Sequence, residues 1–173
     1  MPISNLEDLF HATLRDLYYA EKKLVKTLPK LAKKVSNEDL SEAFTTHAEE
    51  TEGHVGRLEE IFKMIGKTPR GKTCHAMDGL VEEGNEVVEE AEEDVVLDAG
   101  VLAAAQCVEH YEIARYGAMV EWAKLLGHDD AASLLEETLN EEKAADELLS
   151  SLSEVINTAS NRDTEDDEQE AAE

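Results

Sequence analysis

Basic residues are what this chain has too few of: 16 Lys and Arg stand against 41 Asp and Glu, a formal net charge of −25 over 173 residues. Such a balance excludes nucleic acid as a direct partner, because phosphate contacts need a basic patch. It disfavours anionic membrane surfaces for the same reason. Prolines number three and glycines nine, and no window alternates apolar and polar residues with period two, which argues against strands. Cys74 and Cys107 are the only cysteines; they are too few for a disulfide framework and read as free thiols in a reducing compartment. No apolar run reaches membrane-spanning length, and Met1-Pro2-Ile3-Ser4 leads straight into a polar, capped helix, so a cytoplasmic location is expected.

The acidic excess is more than solubility requires. It reads as adaptation to high salt, where the Debye length falls to about 3 Å at 1 M and self-repulsion is screened. A halophilic source is the expectation; an ordinary acidic stress protein is the plainer alternative.

Hydrophobic residues make up 42% of the chain, enough to fold, and they recur with a long, uninterrupted 3.6-residue period. The fold class is therefore all-α. The spacing predicts helix A over about Asn5 to Val35, with Ser4 as N-cap, Glu7 completing a capping box and a kink near Pro29. Helix B follows from Glu38 to Ile65, stopped by Gly66. A loop leads to a short acidic helix over Ala76 to Glu93, then helix C over Val95 to Leu126 and helix D over Asp130 to Asn157. Residues 1–158 form one bundle; the acidic tail, 159–173, lacks large apolar side chains and reads as disordered. The A–B and C–D links are short, so each pair is an antiparallel hairpin. The long B–C crossover holds the extra helix and lets B and C run parallel, the topology of a ferritin-like four-helix bundle.

Charges intrude on the apolar stripes of these helices. Leu6, Phe10, Thr13, Leu17, Glu21, Leu24 and Leu28 follow three-four spacing, so Glu21 points inward. Helix B presents Leu40, Ala43, His47, Glu50, His54 and Leu58, with His47, Glu50 and His54 within about 60° of one another. Helix C places Glu109 and Glu112 on a stripe with Leu102, Ala105 and Tyr116. Helix D places Glu142 between Leu135 and Leu149, with Asp146 a turn later. In so acidic a chain some carboxylates fall on any stripe by chance. Inward carboxylates from all four helices, however, would repel unless cations lay between them, and two divalent ions nearly balance the charge. Oxygen-rich ligands with one or two imidazoles suit Fe or Mn better than Zn. His11, His75, His110 and His128 read as spectators, and Tyr18, Tyr19, Tyr111 and Tyr116 as packing residues.

At these positions the chain resembles the YciE/YciF family of ferritin-like stress proteins. The likeness rests on Ala20-Glu21-Lys22, His47 with Glu49-Glu50-Thr51, Met77-Asp78-Gly79-Leu80, Glu109-His110-Tyr111-Glu112-Ile113-Ala114 and Glu141-Glu142-Lys143-Ala144-Ala145-Asp146. It implies a cytoplasmic homodimer binding two Fe ions, or Mn, and oxidising Fe(II) with O2 or peroxide. Glu50 and Glu142 would bridge, Glu21 and Glu112 would be terminal, and His54 with Glu109 or His47 would complete the sphere. The broader ferritin-like pattern has Glu followed three residues later by His; here Gly53 and Ala145 stand at those places. His54 and Asp146, four residues on, or His47, one turn earlier, are the substitutes. Two other functions fit the pattern: a non-enzymatic, dimeric partner-binding stress protein, and a manganese catalase-like peroxide disproportionation.

Overall fold

The computed structural model describes residues 3–170, with side chains through Asn161. It contains five helices: α1 (Leu6–Leu31), α2 (Glu38–Met64), α3 (His75–Glu90), α4 (Asp94–Leu125) and α5 (Asp129–Glu170). No strand occurs among the described residues. Among the same residues, no helix is long and apolar enough to cross a membrane.

The helix ends follow local chemistry. At α1 the N-cap is Asn5 rather than the expected Ser4: the Asn5 side chain accepts from the Asp8 backbone N–H at 2.8 Å. The Asp8 carboxylate in turn accepts from the Ser4 backbone N–H at 3.1 Å. An Asn-x-x-Asp pair has displaced the Ser-x-x-Glu box by one residue. α1 stops at Leu31 instead of Val35, just after Pro29. Gly66 and Gly127 take left-handed φ values of 68° and 76° after α2 and α4, as helix-stopping glycines do. α5 continues to Glu170 rather than ending at Asn157. Neither Gly nor Pro stands between Gly127 and the end of the chain to stop it. The side chains of 162–170 and all of 171–173 lie outside the described residues, so the tail reading extends beyond them.

Two apolar clusters show how the long helices run. One holds Leu17, Leu58, Tyr116 and Leu139; the other holds Leu24, Phe44, Ala105 and Leu149. Along α1 and α5 the chain passes from the first cluster to the second, and along α2 and α4 from the second to the first. α2 and α4 therefore run parallel, as the long crossover through α3 requires. α1 packs on α2 and α4, α5 packs on α2 and α4, and α3 lies mainly against α4. The α3–α4 approach is close: a Cβ on Gly100 would stand 2.5 Å from Val87 Cγ1.

One buried acid holds the frame. Asp98 on α4 accepts from Ser36 N at 2.8 Å, Ser36 Oγ at 2.7 Å and Asn37 N at 2.8 Å. It thus pins the α1–α2 turn to α4. Asp98→Ala strands those donors and is expected to cost about 3 kcal/mol, read as a lower urea midpoint with unchanged m-value. A loss below about 1 kcal/mol would show that water replaces the carboxylate.

Candidate metal centre

Between the two apolar clusters lies a layer of ionisable side chains. On every long helix it occupies the gap in the sequence between them: Glu21 between Leu17 and Leu24, His47 and His54 between Phe44 and Leu58, Glu109 and Glu112 between Ala105 and Tyr116, Glu142 between Leu139 and Leu149. These six residues are all buried, and Glu21, His54, Glu112 and Glu142 have no exposed surface.

Their atoms form two groups that share one residue. Glu21, His54 and Glu142 present ligand atoms within 4.8 Å of one another, and so do His47, Glu109 and Glu142. His54 Nδ1 lies 3.2 Å from Glu142 Oε1 and 3.4 Å from Glu21 Oε2. His47 Nε2 lies 3.5 Å from Glu142 Oε2 and 3.4 Å from Glu109 Oε1. The two oxygens of Glu142 thus face different imidazoles. Glu112 adds a fourth carboxylate; neither of its oxygens has a hydrogen-bond partner. Glu21 Oε2, His54 Nδ1, Glu109 Oε2 and both oxygens of Glu142 are also buried without one. Buried polar atoms in native proteins are nearly always satisfied, so this many orphans facing one another is what a cation site looks like from its ligands. The donor set fits that test: four carboxylates and two imidazoles, with open donor atoms converging.

The outer ring nitrogens are held from behind. His54 Nε2 is 2.9 Å from Glu141 Oε2. Glu141 in turn accepts from Arg57 Nη1 and Nη2, at 2.6 and 2.8 Å. His47 Nδ1 is 3.3 Å from Glu50 Oε2. A carboxylate only accepts, so a neutral ring keeps its hydrogen on the outer nitrogen and turns its inner lone pair to a cation; in the metal-free protein the inner nitrogens also face carboxylates and carry the proton that a cation would displace. The Tyr116 hydroxyl donates to Glu21 Oε1 and fixes that carboxylate.

Electrostatics follow from burial. Burial raises the Glu21 carboxyl and pushes Glu109 up to about 8; it drives Glu112 well above the carboxylate range, with Glu21, Glu142 and Glu109 adding repulsion. For the imidazoles burial works the other way and is outweighed. The Glu50 hydrogen bond and the charges of Glu109 and Glu142 raise His47 to about 9; Glu142 and Glu21 raise His54 to about 11. Without a cation, shared protons hold the layer together.

Two expected ligands are elsewhere. Glu50 does not enter the layer: its side chain is 42% exposed, and it supports His47 instead of bridging. The buried face of α2 runs through Phe44, His47, Thr51, His54 and Leu58, which turns Glu50 to its edge. Asp146 is half-buried and pairs with His110 Nε2 at 3.1 Å, which gives that histidine a partner. α2 instead supplies both imidazoles, which answers the missing Glu-x-x-His pattern. Glu141, Arg57 and Tyr116 were not legible as supports; Arg57, three residues after His54, was the available signal. Cys74 is buried, Cys107 is exposed, and neither is bridged.

Residues 5–162 match the family described as a domain of unknown function, DUF892. The chain belongs to that family. Protein YciF of Escherichia coli K12 is 49% identical over 154 residues, 88% of this chain and 92% of that one. The crystal structure of the E. coli stress protein YciF superposes with a TM-score of 0.86 at 46% identity, covering 90% of this chain and 99% of that one. YcfI of Rhodopseudomonas palustris, described as a candidate structural protein, superposes at 0.84 with 49% identity, covering 86% and 94%. A Xanthomonas campestris protein at 0.72 and 21% identity, covering 93% and 99%, shares the fold. DUF892 membership thus places the chain among YciF-like stress proteins.

Proposed function

We propose that this DUF892 protein is a ferritin-like di-metal carboxylate protein that oxidises Fe(II), protecting the cell under stress. The observation that carries the reading is Glu142, whose two oxygens serve two separate three-residue groups. One group would be Glu21, His54 and Glu142, the other His47, Glu109 and Glu142, with Glu112 beside both as a terminal ligand. Iron is the favoured occupant and manganese the other, because carboxylate-rich, imidazole-poor sites suit them. A bound pair of Fe(II) ions supplies two electrons, enough with two protons to reduce one peroxide to two waters.

The chain's own residues prepare that chemistry. Glu50 and Glu141 orient the imidazoles, and the Tyr116 hydroxyl orients Glu21. The apolar clusters above and below shield the layer from bulk water, most fully at Glu21 and His54, which strengthens the charge interactions there. The Glu112 carboxyl holds a proton until a cation displaces it. The reading includes a homodimer built on outer faces of α1 and α2, and a cell interior rich in salt that screens the acidic surface.

Metal analysis after chelator-free purification, with anomalous maps at the Fe and Mn edges, tests the proposal. Two peaks flanking Glu142 and Fe(II)-dependent consumption of O2 or peroxide are expected; oxygen evolution would mark a manganese catalase-like activity instead. Absence of metal, with melting unchanged by added Fe(II), would leave a non-enzymatic partner-binding module. The description carried by YcfI suits that second reading.

A further inference from the structure

Two cavities meet at the same half of the buried layer. One, of about 30 Å³, lies between α1, α3 and α4, with Leu28, Leu80, Val81 and Val108 in its walls. The other, of about 130 Å³, lies between α2 and α5, with Ala43, Thr46, Glu50 and Ala145 in its walls. Both reach His47 and Glu109; neither has Glu21 or His54 in its walls.

We propose that the α2–α5 cavity is the entry port for a divalent transition-metal cation, and that Glu50 is its receiving carboxylate. The His47–Glu109–Glu142 position is then the one that exchanges, and the Glu21–His54–Glu142 position retains its ion. This deepens the di-metal reading and rests on it. A cation shedding water needs replacement oxygens along its route, since desolvation without them is costly. The cavity under α3 offers only Thr27 and Asn85 as polar wall residues before His47 and Glu109, with no carboxylate among them, and has room for only one or two waters. The α2–α5 cavity has room for several waters, with Thr46 exposed among its wall residues. Glu50 stands between solvent and ring: it is 42% exposed, and its Oε2 lies 3.3 Å from His47 Nδ1.

Beyond His47 and Glu109 the route ends at Glu142. On the far side Glu21 and His54 have no exposed surface. The Tyr116 hydroxyl closes on Glu21, and the Glu141–Arg57 pair backs His54. An ion there leaves only after the nearer position has emptied.

Cobalt(II), whose visible absorption reports coordination, is the probe. Protein loaded with Co(II) and then mixed with excess terpyridine is expected to release cobalt in two phases of equal amplitude. Thr46 is an exposed wall residue outside the ligand set, so its charge variants leave the fold intact. Thr46→Lys should slow the fast phase about tenfold at low ionic strength, an effect that shrinks with salt. Thr46→Asp should not slow it, which separates charge from bulk. His47→Ala should abolish the fast phase and leave the slow one. A single phase with both ions bound, or Lys and Asp variants that behave alike, overturns the port and leaves the di-metal reading standing. Failure to bind cobalt at all overturns both.

Discussion

Glu142→Ala should empty both metal positions in one step, taking metal content from roughly two ions per chain to near zero. Single losses on either side should behave differently. His47→Ala leaves Glu21, His54 and Glu142, and should retain about one ion; Glu21→Ala removes a ligand from the opposite position and leaves His47, Glu109 and Glu142. The contrast separates a shared ligand from a merely buried acid. Glu142→Ala also takes a counter-charge from both imidazoles, 3.2 Å from His54 Nδ1 and 3.5 Å from His47 Nε2, and is expected to cost about 3 kcal/mol in the metal-free protein. The comparison therefore stands only on samples whose fold is intact. Metal analysis with circular dichroism on the same samples decides the matter. Half-loss in Glu142→Ala, equal to that in His47→Ala, would refute the shared-ligand geometry.

The inward carboxylates were legible because three of the four helices keep a strict stripe. Glu21 lies between Leu17 and Leu24, Glu112 between Ala105 and Tyr116, and Glu142 between Leu135 and Leu149; on such stripes a charge has nowhere to go but inside. α2 was harder. Two three-four paths cross it: Ala43, His47, Glu50, His54 and Phe44, His47, Thr51, His54. Both contain the two histidines, and they differ by about 100° at Glu50 against Thr51. Thr51 is buried and its hydroxyl returns to the His47 carbonyl at 2.7 Å, so it enters the interior without an unsatisfied donor. An ionised Glu cannot donate to a carbonyl of its own helix in that way, which leaves Glu50 at the rim beside the His47 ring. The supports were illegible for another reason. Glu141, Arg57 and Tyr116 act across helices, on His54 and Glu21, and such pairings depend on rotation of one helix against another. Asp98 was missed on the same ground, since its partners lie in a turn that precedes α2.

Metal should stabilise this protein most where protons stabilise it least. Take the metal-free chain first. Glu21, Glu109 and Glu112 have carboxyls raised by burial, so the stability they contribute is complete below the unfolded value near 4.5 and disappears as pH rises through the folded one, about 8 for Glu109. His47 and His54 are raised to about 9 and 11; their contribution is complete below 6.5 and likewise lost as pH rises. All five act with one sign, and the metal-free protein should weaken steadily from pH 5 to pH 9. A cation must displace those same protons, so its apparent affinity rises with pH. At a thousandfold excess over Kd, binding only the native state contributes about 4 kcal/mol, or roughly 8–16 °C in Tm for a chain of this size. The Mn(II)-induced rise should therefore be much larger at pH 8 than at pH 6. Calorimetry in two buffers of different ionisation enthalpy should show proton release on binding. Glu112→Gln, which has no proton to give up and offers a weaker ligand, should flatten the decline of the metal-free protein while shrinking the Mn(II) increment. Equal increments at both pH values, or binding without proton release, would mean that the cation sits away from the buried layer and that its carboxyls serve packing alone.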